Sequence, residues 1–193
     1  MAIEKNYYTI DPQGKLRCVK CGVPLIKGKA KFMYLDNGFP VELPAGASVL
    51  DMGAGAGETV ALLRGLGFQA EGIDLAPRSP WIRRGDLLHA PYPGGSFDAV
   101  LSQCAFFVSG DQPGALREAF RLLRPGGKLL LSDLFFASPK LLLREAGFAL
   151  LGAEDLTEAW RDYYLEALWR GEAPCWEHPR GKSSYWLLIG RKD

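Results

Sequence analysis

The sequence predicts an α/β fold in which a mostly parallel sheet follows a small β-rich N-terminal segment. From about residue 45, short apolar stretches alternate with amphipathic ones, as strands and helices do in a parallel sheet. A glycine-rich turn at residues 53–57 joins the first of these strands to the first helix. Before residue 45, apolar residues alternate on both sides of Asp36-Asn37-Gly38, which indicates a β-hairpin. We therefore expect two parts, residues 1–44 and residues 45–193.

The strands of the second part are predicted from short apolar runs. In chain order they are 48–52, 70–75, a strand ending near Gly85-Asp86, 97–103, 128–135, "FALLGAEDL" and 183–192. The fifth, "KLLLSDLF", is apolar on both faces, which predicts a central position. The link "APRSPWIRRGDL" after the second strand leaves little room for a crossover helix.

The helices are predicted from helical spacing between capping signals. "ETVALLRGLGF" is the first, ended by its two glycines. The clearest helix lies in "DQPGALREAFRLLRPGG", where apolar residues from Leu116 onward share one face. Asp111 is expected to cap its start, and Pro125-Gly126-Gly127 to end it. Two more helices are predicted, in "SPKLLLREAG" with Ser138 as N-cap and over residues 155–170.

Composition limits the functions to consider. The net charge of +1 provides no basic surface of the kind that nucleic-acid binding requires, so we expect no nucleic-acid partner. No apolar run reaches the ~18 residues of a membrane span, and the N-terminus "MAIEKNYYTI" is not a signal peptide. We expect a soluble cytoplasmic protein. Its 4 cysteines are then thiols or metal ligands rather than disulfides.

The glycine-rich turn is predicted to hold a ligand at the carboxyl edge of the sheet. "VLDMGAGAGETV" has the spacing G-x-G-x-G, whereas a dinucleotide site carries G-x-G-x-x-G. Asp51 precedes the turn, and its charge would repel a pyrophosphate but hold a cationic amine. S-adenosylmethionine (SAM), with an ammonium, a sulfonium and no phosphate, fits that description. A nicotinamide oxidoreductase is disfavoured for the same reasons.

Two further carboxylates follow in the order that such a site needs. Asp74 ends the second strand, where a carboxylate can accept hydrogen bonds from both ribose hydroxyls. Asp86 follows the third strand and can accept from the adenine amino group, while Leu87 packs on the ring. An ordinary tight turn explains the glycines less well than this ordered set does.

These stretches resemble the class I SAM-dependent methyltransferases, mainly over residues 47–135. "VLDMGAGAGE" is similar to the first motif of that family and "GIDLAP" to the second. The resemblance implies a Rossmann-like methyltransferase fold, with a mostly parallel seven-stranded sheet and an antiparallel last strand. The cofactor-binding residues it implies are Asp51, Gly53, Ala54, Gly55, Gly57, Asp74, Leu75, Asp86, Leu87, Ser102 and Gln103. The family's N-terminal lid helices are not visible in this sequence.

Within the family, "LSQCAFFVSGD" and "LLLSDLF" are most similar to the arsenite methyltransferases and to small quinone- and metabolite-directed enzymes. Cys104 falls where the arsenite enzymes carry a metal-binding thiol, which makes it the candidate catalytic residue. A small buried side chain is the plainer interpretation of this cysteine. Methyl transfer from a sulfonium depends mainly on alignment, and a thiolate or arsenic acceptor needs no catalytic base.

The remaining cysteines suggest a zinc site. "CVKCG" contains Cys18 and Cys21 at the spacing of one zinc-ribbon knuckle, and "CWEH" places Cys175 and His178 at a matching spacing. Together they would form a Cys3His site. Two alternatives stay open: the knuckle is a remnant or a redox-labile pair, or Cys175 joins Cys104 as a ligand for a soft metalloid.

The function predicted from the sequence is methyl transfer from SAM to a small-molecule acceptor, with arsenite or another metalloid or thiol as the most concrete candidate. The alternative is a non-catalytic SAM- or zinc-binding accessory protein whose N-terminal segment contacts a protein partner.

Overall fold

The computed structural model describes residues 8–10, 16–18, 24–28, 31–34, 40–169 and 182–193. The N-terminal strands are β1 (Tyr8–Ile10), β2 (Leu16–Cys18), β3 (Pro24–Gly28), β4 (Lys31–Tyr34) and β5 (Pro40–Glu42). They form an antiparallel sheet in chain order. The predicted hairpin is confirmed because β4 pairs with β5, with Phe32 opposite Val41. Its turn, residues 36–38, lies outside the described residues.

A second sheet forms the rest of the described chain. Its strands and helices follow one another as β6 (Ser48–Met52), α1 (Glu58–Gly65), β7 (Gln69–Asp74), β8 (Ile82–Arg84), β9 (Phe97–Gln103), α2 (Gln112–Leu122), β10 (Leu123–Phe135), α3 (Pro139–Glu145), β11 (Phe148–Asp155), α4 (Thr157–Trp169) and β12 (Ser184–Lys192). The spatial order is β11-β12-β10-β9-β6-β7-β8. Strand β12 is antiparallel to both its neighbours, and the other neighbouring pairs are parallel. The predicted seven-stranded sheet with an antiparallel last strand is confirmed.

The buried residues lie on the two faces of this sheet and follow the two-residue period of the strands. In β6, Leu50 and Met52 belong to the same buried group as the apolar face of α2, whereas Val49 packs with Val60 and Leu63 of α1. Leu43 is also buried, in the same group of packed residues as Val49 and Val60, although it precedes the predicted boundary at residue 45. Packed side chains cover both faces of the sheet. This packing fixes the positions of the strand ends, which carry the polar residues.

The region between α2 and β10 differs from the prediction. The helix ends at Leu122, and Leu123 is already extended and opposite Phe97 of β9. The register then shifts between Leu123 and Lys128, so that Pro125-Gly126-Gly127 forms an irregular part of the strand rather than the helix end. The cause is tertiary, because pairing with β9 begins before the glycines that stop a helix locally.

Asp111 caps α2 as predicted, since its carboxylate accepts a hydrogen bond from the Gly114 amide at 2.8 Å. Ser138 stands at the N-cap position of α3, but its side chain accepts no capping hydrogen bond. Among the described residues, no helix combines the length and the apolar character that a membrane crossing requires.

Candidate active site

The carboxyl ends of β6, β7, β8 and β9 meet at one edge of the sheet, where ligands bind in folds of this type. The last residues of these strands and the residues directly after them include every cofactor-binding residue predicted from the sequence. Leu75 is the most exposed of the predicted apolar members, with 69% of its surface accessible. The predicted residues are therefore neighbours along one edge, and their roles depend on what each side chain contacts.

The glycine turn folds back on the end of β7. The amides of Gly53 and Ala54 both donate to the Ile73 carbonyl, at 2.9 and 3.0 Å. A Cβ at Gly53 would lie 2.2 Å from the Cβ of Ala105, so the backbone approach there is to the chain itself. At Gly55, by contrast, φ is +54° and a Cβ would meet no atom within 4 Å. Gly55 is therefore the glycine that faces open space, where a ligand has room.

Asp74 holds this turn in place. Its Oδ2 accepts a hydrogen bond from the Gly55 amide at 2.8 Å, and its Oδ1 accepts one from the Ala76 amide at 2.9 Å. Each carboxylate oxygen can accept a second hydrogen bond. The side chain can therefore bind two ligand hydroxyls without releasing the turn.

Asp51 is buried, and none of the described residues provides a charge that would offset its own. It is 4% exposed, and no described residue donates a hydrogen bond to its carboxylate. Burial, and then the nearby negative charge of Asp74, raise the pKa of Asp51 from 3.8 to about 7. Two carboxylates beside one glycine turn form an arrangement that a bound cation would stabilise.

Asp86 and Leu87 follow β8 on the same edge. Asp86 is exposed, and its Oδ1 accepts a hydrogen bond from the Leu88 amide at 2.9 Å, which leaves the other oxygen toward solvent. Leu87 is partly buried against the core, 3.8 Å from where a Cβ of Gly53 would stand. A polar acceptor and an apolar surface thus adjoin the glycine turn, as adenine binding requires.

Ser102 and Gln103 end β9, but they differ in exposure. Ser102 is fully buried, and its hydroxyl donates to the Met52 carbonyl at 2.8 Å, so it joins β9 to the end of β6. Gln103 is partly exposed at the edge itself. Of the two, only Gln103 reaches the surface where a ligand would lie.

Cys104 begins the loop after β9 in a strained conformation. Its φ of +53° makes it the only non-glycine residue with positive φ in the described chain. Its amide donates to the Ser132 carbonyl at 2.9 Å, and its sulfur lies 3.4 Å from the Tyr185 hydroxyl. Tyr185 is buried and stacks on Trp160, with ring centroids 5.9 Å apart.

Sequence reasoning missed Asp133 and Tyr185. Asp133 is fully buried in β10, and its carboxylate accepts a hydrogen bond from the Phe107 amide at 2.9 Å. The signal was present, because an acidic residue inside the apolar run "KLLLSDLF" must be satisfied by buried partners. Tyr185 gave no such signal, since it reaches the site through the antiparallel pairing of β12 with β10.

The predicted metal ligands fall almost entirely outside the described residues. This applies to Cys21, Cys175 and His178, and of Cys18 only the backbone, in β2, is described. Within the described residues, no group of histidine, cysteine or acidic side chains has the arrangement of a metal site. The zinc site stays a prediction.

A shallow depression of about 190 Å³ lies at the opposite, amino-terminal edge of the sheet. Asp98, Arg124 and Lys128 contribute to its wall, and Arg124 is paired with Asp98 at 2.5 Å. It is remote along the strands from the glycine turn and contains none of the predicted site residues.

Comparison with known proteins identifies the domain that carries this edge. Residues 50–131 match the family described as "Methyltransferase domain". This part of the chain is thus similar in sequence to methyltransferase domains. The matched range contains the glycine turn, Asp74, Asp86 and Cys104, and the strand order around it agrees with this assignment.

Relatives of this part of the chain differ in the acceptor that their names state. It is 32% identical over 115 residues to the arsenite methyltransferase of Aquipseudomonas alcaligenes, covering 47% of this chain and 33% of that protein. It is 38% identical over 112 residues to the demethylmenaquinone methyltransferase of Tropheryma whipplei, covering 50% of this chain and 44% of that protein. The chain thus spans between a third and a half of the length of these relatives.

Solved structures share the fold. The [4+2]-cyclase SpnF superposes with a TM-score of 0.62 at 22% identity, covering 78% of this chain and 76% of that one. Geranyl diphosphate C-methyltransferase from Streptomyces coelicolor, solved with S-adenosyl-L-homocysteine, gives a TM-score of 0.59 at 16% identity, covering 77% and 74%. At these identities the likeness establishes the fold alone.

Proposed function

We propose that this chain binds SAM at the carboxyl edge of its main sheet and transfers the methyl group to a small-molecule acceptor. The observation that carries the proposal is the buried carboxylate of Asp51, which no described residue hydrogen-bonds and which adjoins a second carboxylate, Asp74. A cationic ligand would favour ionisation of Asp51 and offset the repulsion between the two. The family match and the open space at Gly55 support the same ligand.

The residues present suit each part of SAM. Asp51 would face the cationic end of the ligand, and Asp74 would accept the ribose hydroxyls through its remaining lone pairs. Asp86, Leu87 and the exposed Leu75 would border the adenine. The remaining predicted contacts are Gly53, Ala54, Gly55, Gly57 and Gln103; Ser102 would act indirectly, by holding the end of β6.

The protein's part in such a reaction is alignment and exclusion of water. Bound SAM supplies an electrophilic methyl group on a sulfonium, so the acceptor need only be held in line with it. Correct alignment alone can provide roughly 7–11 kcal/mol of the rate enhancement. The loop that begins with Cys104 lies beside the glycine turn, because Ala105 packs on Gly53. It is therefore the segment that we expect to contact the acceptor.

We propose arsenite or another thiol-bound metalloid as the first acceptor to test, with Cys104 as the thiol that contacts it. The position of Cys104 at the end of β9 and the relative named for arsenite support this choice. A second relative is named for demethylmenaquinone, which makes quinone precursors the next class. Cys175 is the candidate second thiol and lies outside the described residues.

The test is an assay with methyl-labelled SAM, a reductant and zinc-replete protein. Arsenite, simple thiols, quinone precursors and a small-molecule extract would be offered as acceptors, and SAM binding would be titrated in parallel. Label on arsenic in wild type but not in Cys104→Ser supports the metalloid acceptor. Label on an organic fraction identifies a different acceptor, and absence of SAM binding would overturn the proposal.

The alternative is an accessory protein that binds SAM or zinc without turnover. It is favoured by the SpnF structure, which shows that this fold also occurs in a protein named for another reaction. SAM binding with no label transferred to any acceptor would support it. Zinc content in wild type and its loss in Cys18→Ser and Cys175→Ser would test the proposed Cys18, Cys21, Cys175 and His178 site, which could serve a protein partner.

A further inference from the structure

Asp133 is a buried acid that the proposed reaction has not used. It lies in β10, where Leu131, Leu134 and Phe135 around it are also almost wholly inaccessible to solvent. Burying a carboxylate in an apolar strand is costly unless several donors satisfy it. The hydrogen-bond donors around Asp133 therefore identify the segments of the chain that this acid fixes.

Those contacts join three segments of the chain. The two carboxylate oxygens accept hydrogen bonds from the amides of Phe107, at 2.9 Å, and Leu134, at 2.8 Å. The Phe106 amide and the Gln112 side chain also donate to it, and these bonds lower its pKa, although burial outweighs them and raises it to about 7. Gln112 in turn donates to the Leu134 carbonyl at 2.7 Å. Strand β10, the loop after β9 and the first turn of α2 thus share one acid.

The loop held in this way reaches the glycine turn. Its first residue, Cys104, is bonded through its amide to Ser132, directly before Asp133 in β10. Its second, Ala105, packs so closely on Gly53 that no Cβ fits between them. Cys104 keeps a strained φ of +53°, and such strain persists only where the surroundings fix it. The hydrogen bonds of Asp133 fix the residues that directly follow the strained Cys104.

We infer that Asp133 is a positioning residue that fixes the segment 104–107 against the glycine turn and thereby aligns acceptor with cofactor. The alignment of acceptor with cofactor rests on the proposed function. The structural part of the inference, that Asp133 fixes the segment 104–107, can be tested without SAM. Asp133 itself is enclosed by the core and contacts neither ligand.

The test compares Asp133→Asn with Asp98→Asn. In Asp133→Asn an amide nitrogen replaces one accepting oxygen, so that one backbone donor of the loop or of β10 loses its partner. Asp98 is a matched control, since it also ties two strands, through the Ser48 amide at 2.8 Å, but at the opposite edge. The rate of Cys104 alkylation by iodoacetamide, followed by peptide mass spectrometry, reports on the segment.

We expect Asp133→Asn to raise the alkylation rate of Cys104 by about tenfold, because a buried donor left without a partner destabilises the segment it belongs to. Asp98→Asn should leave that rate within about twofold at a comparable loss of thermal stability. With the acceptor found by the labelling assay, kcat should fall by about tenfold, while KM for SAM changes little, as loss of alignment predicts.

An unchanged alkylation rate in Asp133→Asn, or an equal rise in Asp98→Asn, would overturn the inference. If Asp133→Asn does not fold, Gln112→Ala removes one donor from the partly exposed side and should raise the rate by a smaller factor; no rise there also counts against it. Wild-type protein that binds no SAM would refute the proposed function, while the alkylation rates would still decide the role of Asp133.

Discussion

At the residue scale, Asp51 and Asp133 show how surroundings give two similar side chains different uses. Both are buried acids on central strands, and burial raises the pKa of each to about 7. Four donors face Asp133, whereas no described residue donates to Asp51. The donors account for the burial of Asp133, whereas the burial of Asp51 requires another explanation, which we propose to be the ligand. Asp74 combines the two uses, because it holds the glycine turn and keeps lone pairs for a ligand.

Replacement of Asp74 tests the proposed cofactor site. Asp74→Ala should weaken SAM binding by about 1.5–3 kcal/mol, the value of hydrogen bonds to a charged group. The measurement is calorimetric titration of SAM. Asp98→Ala, at the other edge of the sheet, serves as control and should leave the affinity unchanged. Equal affinity in wild type and Asp74→Ala would mean that SAM does not contact this carboxylate.

The glycine turn yields a second prediction, on stability. Gly53→Ala combines a positive φ of +82° with a contact of 2.2 Å to Ala105, so it should lower the free energy of unfolding by about 2–4 kcal/mol. The double variant Gly53→Ala/Ala105→Gly removes the clash and should recover all but about 1 kcal/mol of that loss. Gly55→Ala should cost only about 1 kcal/mol, since its Cβ meets no atom. Denaturant unfolding measures all three, and a Gly55→Ala loss as large as that of Gly53→Ala would contradict the geometry.

At the element scale, sequence pattern predicted most of the main sheet because each strand is a short apolar run between turn residues. It was wrong where long-range pairing overrides a local signal. Leu123 pairs with Phe97 before the chain reaches Gly126 and Gly127, so β10 begins earlier than its glycines indicate. The position of the candidate site's acids at or just after a strand end was predictable from the sequence, and their role in binding stays a prediction. Tyr185 could not be predicted as a neighbour of the site, because Cys104, whose sulfur lies beside its hydroxyl, is distant from it in the sequence.

The two predicted helix caps differ in a way that unfolding experiments can measure. Asp111→Ala removes the hydrogen bond to the Gly114 amide and should lower the free energy of unfolding by about 1 kcal/mol. Ser138→Ala removes no capping hydrogen bond and should change it by a few tenths of a kcal/mol, at about the level of a surface substitution. Urea denaturation of the two variants checks the difference. A loss in Ser138→Ala that equals the loss in Asp111→Ala would show that Ser138 caps α3 in solution.

At the scale of the whole molecule, ligand binding and stability should respond to pH in opposite directions. An acid with a pKa of about 7 when folded and 3.8 when unfolded binds more protons in the folded protein between those values. Its contribution to the free energy of unfolding therefore falls as the pH rises from about 4 to 7 and stays low above that. Asp51 and Asp133 both act in this direction. Acidification from pH 8 to 6 should therefore raise the melting temperature of the protein through the protonation of these two groups.

The affinity for SAM should change the other way, because a cationic ligand binds the ionised form of Asp51. With a pKa of about 7, the ionised fraction falls about tenfold between pH 8 and pH 6, and the affinity should fall by a similar factor. Asp51→Asn separates this effect from the titration of Asp133, since it removes the titrating group of the site and should bind SAM weakly at both pH values. Titration of SAM into the two proteins at pH 6, 7 and 8 measures it. An affinity in wild type that is flat over this range would mean that the ligand does not rely on the charge of Asp51, and the cationic end of SAM would then lie elsewhere.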